Sequence, residues 1–166
     1  TECSRDHGKT YFFSYGYPLS QTCFNDEFST CLISYSIDQV QSNTARIKSA
    51  LERNDFFKEW IPKDKADSWT KTNLILSNRS SIEGKSFGQA IRGGHYNLIV
   101  VDDPIKDFGG MSREDQKNFF LGVIVPALRP GGQLIVVGTP IDFDDLLADI
   151  EKNPLFNKYY FPAIKQ

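Results

Sequence analysis

The chain has 166 residues, 40% of them hydrophobic and 24% charged, which suits one domain of ordinary size and excludes global disorder. Its formal net charge is −2, from 19 Lys and Arg against 21 Asp and Glu, so a surface built throughout to grip nucleic acid is excluded and only a local patch stays open. No apolar run reaches membrane-spanning length and no signal-like segment opens the chain. Cys3, Cys23 and Cys31 lack CxxC spacing, which predicts reduced thiols in a cytosol.

The first residue is not Met, and the opening motif starts incomplete, so the sequence reads as a piece of something longer. That motif runs Cys3, Ser4, Arg5, Asp6, His7, Gly8, Lys9, Thr10. Against the phosphate-loop pattern G-x-x-x-x-G-K-[ST], every position fits except the first, where Cys3 replaces glycine. Backbone N–H groups of such a loop and of the following helix face phosphates. Lys9 is then expected at the β and γ phosphates, and the Thr10 hydroxyl on Mg²⁺. Pro18 is expected to end the helix, with a loop at Asn25 and Asp26.

Cys31 to Tyr35 reads as a buried strand, and Ser36 with Gln39 as a capping box for the next helix. Val40, Ile47 and Leu51 form the inward stripe of that helix. Strand followed by crossover helix is the unit of a parallel sheet. A short helix over Asp55 to Ile61 is stopped by Pro62, and Lys63 to Lys71 reads as a solvated connection. Asn73 to Ser77 and Ser81 to Gly84 flank Asn78 and Arg79, the signature of a hairpin.

Asn97 to Val101 is an apolar run without alternation, as expected of a strand covered on both faces. It ends in Asp102, Asp103 and Pro104, at the strand end where open α/β sheets bind ligands. Adjacent carboxylates there are costly to ionise together unless a cation or a protonation offsets them; a solvated Asp-Asp-Pro turn is the other reading. Ser112 with Asp115 caps a helix expected to reach about Leu128, kinked or shortened at Pro126. Arg129 to Gly132 is expected to turn the chain into a strand over Gln133 to Val137, which ends in Gly138, Thr139 and Pro140. An acidic helix over Asp142 to Lys152 and a last strand at Tyr159 to Phe161 close the chain.

The order of these landmarks matches a nucleoside triphosphatase in which Asp102 holds Mg²⁺, Asp103 polarises the attacking water and Thr139 senses the γ-phosphate. An S-adenosylmethionine-dependent methyltransferase is the competing enzyme class, from the turn-and-strand at Arg129 to Val137 and the Asp102-Asp103-Pro104-Ile105 tetrapeptide. It lacks a Gly-x-Gly loop after an early strand and leaves the phosphate loop unused.

With these motifs in place the chain resembles the ATPase domain of the large terminase subunit of tailed phages, over nearly all 166 residues. The resemblance rests on the loop arginine in Ser4 to Thr10, on Ile91-Arg92-Gly93-Gly94 ahead of the strand to Asp103, and on Val137 to Pro140 after a Pro-Gly-Gly turn. It implies an α/β fold, a P-loop NTPase of the ASCE type with a mostly parallel central sheet flanked by helices and a β-hairpin insertion. It implies ATP and Mg²⁺, with Ser4, Arg5, Asp6, His7, Gly8, Lys9 and Thr10 at the nucleotide, and Thr10 and Asp102 at the metal. It implies Asp103 as the catalytic carboxylate in a position usually held by Glu, Arg5 acting within the subunit, Arg92 reaching a neighbouring subunit, and Thr139 in the coupling motif.

The partners implied are double-stranded viral DNA, a portal protein, the small terminase subunit and further copies in a ring, in the host cytoplasm and transiently at the prohead. Measured against that family, the strand before the phosphate loop shrinks to Thr1-Glu2-Cys3, and the upstream adenine-contacting segment and the downstream nuclease domain fall outside residues 1–166. Weak nucleotide binding and slow hydrolysis by these residues alone are therefore expected. A catalytically weak assembly module, docking portal and small terminase, is the non-enzymatic alternative. His7 and His95 read as loop side chains, and Lys63, Lys65, Lys71, Arg79 and Lys85 as a solvated face.

Overall fold

The structure, a computed structural model, describes residues 2–3, 8–66, 68–91, 93–104, 111–138 and 145–161. Strand β1 (Glu2–Cys3) precedes a helical run over 9–24, followed by β2 (Ser29–Ser34) and a crossover helix, Ile37–Arg53. After a 3-10 turn at Asp55–Trp60 come β3 (Asn73–Ile75), β4 (Ser81–Ser86) and β5 (Tyr96–Asp102). A second helical run over 113–127 leads into β6 (Leu128–Val137), then the helix Leu146–Lys152 and β7 (Tyr160–Phe161).

Five strands form one sheet in the order β3-β4-β2-β5-β6, and β1 pairs with β7 in a separate parallel ribbon. The pairs β2–β4, β2–β5 and β5–β6 are parallel; β3–β4 is antiparallel. The expected hairpin is present, with Arg79 in its turn at φ 65. Its second strand belongs to the main sheet, next to β2, so the hairpin widens the sheet.

Apolar runs make the inner strands because both faces are covered. Leu98 and Val100 pack with Leu19, Cys23, Ile47 and Leu51 on one face. Ile99 and Val101 pack with Phe120, Ile124, Leu146 and Leu147 on the other. Each of the four β5 residues is 0% exposed, so alternation carries no signal there. Ser36 caps the crossover helix by accepting from the Gln39 backbone N–H, and Val40, Ile47 and Leu51 face inward as their spacing predicts. Gly84 lets that helix lie close: a Cβ there would come within 2.2 Å of Val40 Cγ1. Cys23 and Cys31 are buried free thiols, and burial pushes both up to about 12.

Three expectations are corrected. Pro18 does not end the first helix, which runs on to Phe24. A π segment over Phe12–Gly16 precedes the proline, with the Tyr17 N–H bonding to the Phe12 carbonyl, and this wider turn accommodates a residue that has no N–H to donate. Arg129 to Gly132 does not separate two elements: it bulges within β6, where Tyr96 is opposite Leu128 and Leu98 opposite Gln133. The polar stretch Lys63 to Lys71 is not wholly solvated, because Trp69 is buried, bridges to Leu74 and donates its indole N–H to Glu52 Oε1 at 2.8 Å.

Candidate active site

Strand parity sets the direction of the acids. Asp102 follows Leu98 and Val100 on the face that packs against the first helix, and it is 3% exposed. Continued extension would send Asp103 to the opposite face. Instead its backbone turns into the left-handed region at φ 44 while its N–H still donates to the Val137 carbonyl at 2.8 Å. Asp tolerates that conformation better than most residues, and such turns collect at functional sites. Both carboxylates thereby reach the first helix.

That helix starts where glycine permits it. Gly8 caps it at φ 72, with the Phe12 N–H bonding back to the Gly8 carbonyl at 2.9 Å. The N–H groups of Lys9 and Thr10 belong to the first turn, which has no earlier helical carbonyl to bond. Lys9 Nζ is 3.4 Å from Asp103 Oδ1, its side chain 9% exposed against 47% for the aspartate. The Thr10 hydroxyl is 3.4 Å from Asp102 Oδ1, and Ser14 donates to Asp102 Oδ2 at 2.7 Å. Residues separated by 88 to 94 positions thus meet at one point.

Ser14 is the member of this group that the sequence reading missed. The available signal was its spacing, four residues after Thr10 and so on the same helix face. Burial holds the Asp102 carboxyl above its ordinary range; the Ser14 hydrogen bond opposes this, the Asp103 charge adds to it, and Thr10 and Lys9 pull back. A buried carboxylate in this state is relieved by protonation or by a nearby cation. The donors on offer, Asp102 Oδ1 and the Thr10 hydroxyl, are hard oxygens. Their 3.4 Å separation is slightly wider than the roughly 2.9 Å between adjacent ligands of an octahedral Mg²⁺. The residues fit such an ion, with a small closing movement.

Ser4, Arg5, Asp6, His7, Arg92 and Thr139 lie outside the described residues. Of the remaining candidates, the structure brings together Gly8, Lys9, Thr10, Asp102 and Asp103. His95 is exposed, and no cluster of three or more His, Cys, Asp or Glu suited to a metal occurs among the described residues. Lys65, Arg79 and Lys85 are engaged with Glu52, Glu27 and Glu83. No described helix is long and apolar enough to cross a membrane. An apolar groove of about 720 Å³ follows the outer side of β6, between Leu134, Val136, Leu147 and Phe156, and none of Lys9, Thr10, Asp102 or Asp103 lines it.

No protein-family model matches the sequence, and no curated protein matches it. Solved structures do. The HK97 bacteriophage large terminase superposes with a TM-score of 0.67 at 17% identity, over 89% of this chain and 30% of that one. An ATPase-domain mutant of the Thermus phage P74-26 large terminase superposes with a TM-score of 0.61 at 15% identity, over 87% of this chain and 61% of that one. This chain thus spans less than a third of the first protein's length and about three fifths of the second's. The methyltransferase alternative gains no support from these matches. With its mostly parallel five-stranded sheet and flanking helices, this chain has the fold of phage large terminase ATPase domains.

Proposed function

We propose that this chain is the motor domain of a phage large terminase, in which ATP hydrolysis drives double-stranded viral DNA into a prohead. The single observation that supports this reading most is the meeting of Lys9, Thr10 and Ser14 with Asp102 and Asp103 across the carboxyl end of β5. The terminase fold gives that meeting its context.

In this reading the loop over Ser4, Arg5, Asp6, His7 and Gly8 wraps the triphosphate with its backbone N–H groups. Lys9 leaves Asp103 and takes the β and γ phosphate oxygens. Thr10 and Asp102 hold Mg²⁺, which when bound neutralises the phosphate oxygens. Ser14 holds the second oxygen of Asp102, so the first faces the metal position. Asp103 orients the attacking water, and the turn at φ 44 advances this shorter carboxylate toward the phosphates. Thr139 senses the γ-phosphate, Arg5 acts within the subunit, and Arg92 completes the site of the next subunit in a ring. Portal and small terminase are the docking partners of the assembled motor.

The test is Mg²⁺-dependent ATP hydrolysis and DNA packaging by the full-length protein. Lys9→Ala and Asp102→Ala each abolish both if the reading holds; packaging that survives them refutes it.

A further inference from the structure

The outer face of the crossover helix carries a stripe at helical spacing: Ser42, Ala45, Arg46, Ser49, Ala50 and Arg53. Together with Tyr11 and Tyr15 of the first helix, and Asn54 and Phe57, it lines an open cleft of about 870 Å³. Small residues form the floor and the two arginines stand along it, about 10 Å apart at 1.5 Å per residue. Both arginines are exposed. No Asp or Glu lines the cleft among the described residues. The nearest acids in sequence are otherwise engaged: Glu52 accepts from the Trp69 indole and faces Lys65, and Asp55 pairs with Lys58 at 2.7 Å.

Every polar side chain of this cleft is a donor of the kind that meets phosphate oxygens: guanidinium, hydroxyl, phenol, amide. Tyr11 and Tyr15 tilt against one another, with ring centroids 4.8 Å apart and planes at 52°, and stand beside the arginine stripe. We propose that the cleft is a track for the phosphodiester backbone of a nucleic-acid duplex, gripped by Arg46 and Arg53 and walled by Tyr11 and Tyr15. The first helix begins at Lys9 and Thr10, which meet the acid pair at the tip of β5, and carries Tyr11 directly after them, so this helix touches both the track and the candidate site. Binding along the track does not require that Lys9 and Asp102 hydrolyse ATP.

The experiment is fluorescence anisotropy with a short labelled duplex, titrated at several salt concentrations, with binding of a fluorescent ATP analogue measured on the same samples. Arg46→Gln with Arg53→Gln is expected to weaken duplex binding by roughly tenfold or more and to lower the salt slope by about 2, with nucleotide binding unchanged. Lys63→Gln with Lys71→Gln is the control, expected to change little. The proposal is overturned if the arginine pair leaves affinity and slope as they were, if the lysine control causes the loss, if the unsubstituted protein binds no duplex, or if a single strand binds more tightly than the duplex. Duplex binding that depends on the arginines in a protein that ignores the nucleotide analogue would refute the ATPase reading and leave the track standing.

Discussion

Ser14 and Asp102 are joined by a 2.7 Å hydrogen bond that ties the π turn of the first helix to the buried tip of β5. A buried carboxylate without its donor bears the cost of an unsatisfied charged group. Ser14→Ala is therefore expected to lower the unfolding free energy by about 1–3 kcal/mol, read from urea denaturation. Loss of the anchor should also weaken Mg²⁺-dependent nucleotide binding more than metal-free binding. An unchanged denaturation midpoint would show that the bond contributes nothing.

Gly84 is required by the approach of the crossover helix, since an added Cβ would come within 2.2 Å of Val40 Cγ1. Overpacking of that kind costs about 1–3 kcal/mol. Gly84→Ala should lower the melting temperature, and Val40→Ala combined with it should recover part of the loss. A melting temperature unmoved by Gly84→Ala would mean that the helix shifts freely on the sheet.

Glu52 gives a pH dependence with a definite sign. The Trp69 indole hydrogen bond, aided by the Lys65 and Lys48 ammonium groups and opposed by desolvation, holds its carboxyl below the ordinary range. A folded-state value below the unfolded one means stabilisation that is complete above about pH 4.3 and lost as pH falls through the folded value. Glu52→Gln should destabilise the protein at neutral pH, and its stability should converge with that of the unsubstituted protein in acid. Parallel stability curves from pH 7 down to pH 3 would rule the contribution out.

Much of the fold was legible where local chemistry dominates. The Ser36 cap, the Val40, Ile47 and Leu51 stripe, the turn at Arg79 and the uninterrupted apolar strand into Asp102 each follow from a short-range rule. The meeting of Lys9 and Thr10 with the acid pair followed from motif order, because a parallel sheet brings its strand ends to one side. What was not legible depends on tertiary context. Pro18 signals a helix end, and only the π turn ahead of it carries the helix onward to Phe24. Trp69 sits among lysines and threonines, yet the hairpin and Glu52 bury it. Pro130, Gly131 and Gly132 signal a turn, and pairing with β5 on both sides converts them into a bulge. Ser14 has no motif of its own; its role appears only when Asp102 arrives from 88 residues away.

The most direct test of the central claim, that the first helix and the tip of β5 form one nucleotide site, is calorimetric titration of ATP with and without Mg²⁺. The protein, Lys9→Ala and Asp102→Asn are compared. Lys9→Ala should lose affinity in both conditions, whereas Asp102→Asn should lose only the part that Mg²⁺ adds. Equal affinity in all three proteins, with Mg²⁺ present and absent, would contradict a shared site.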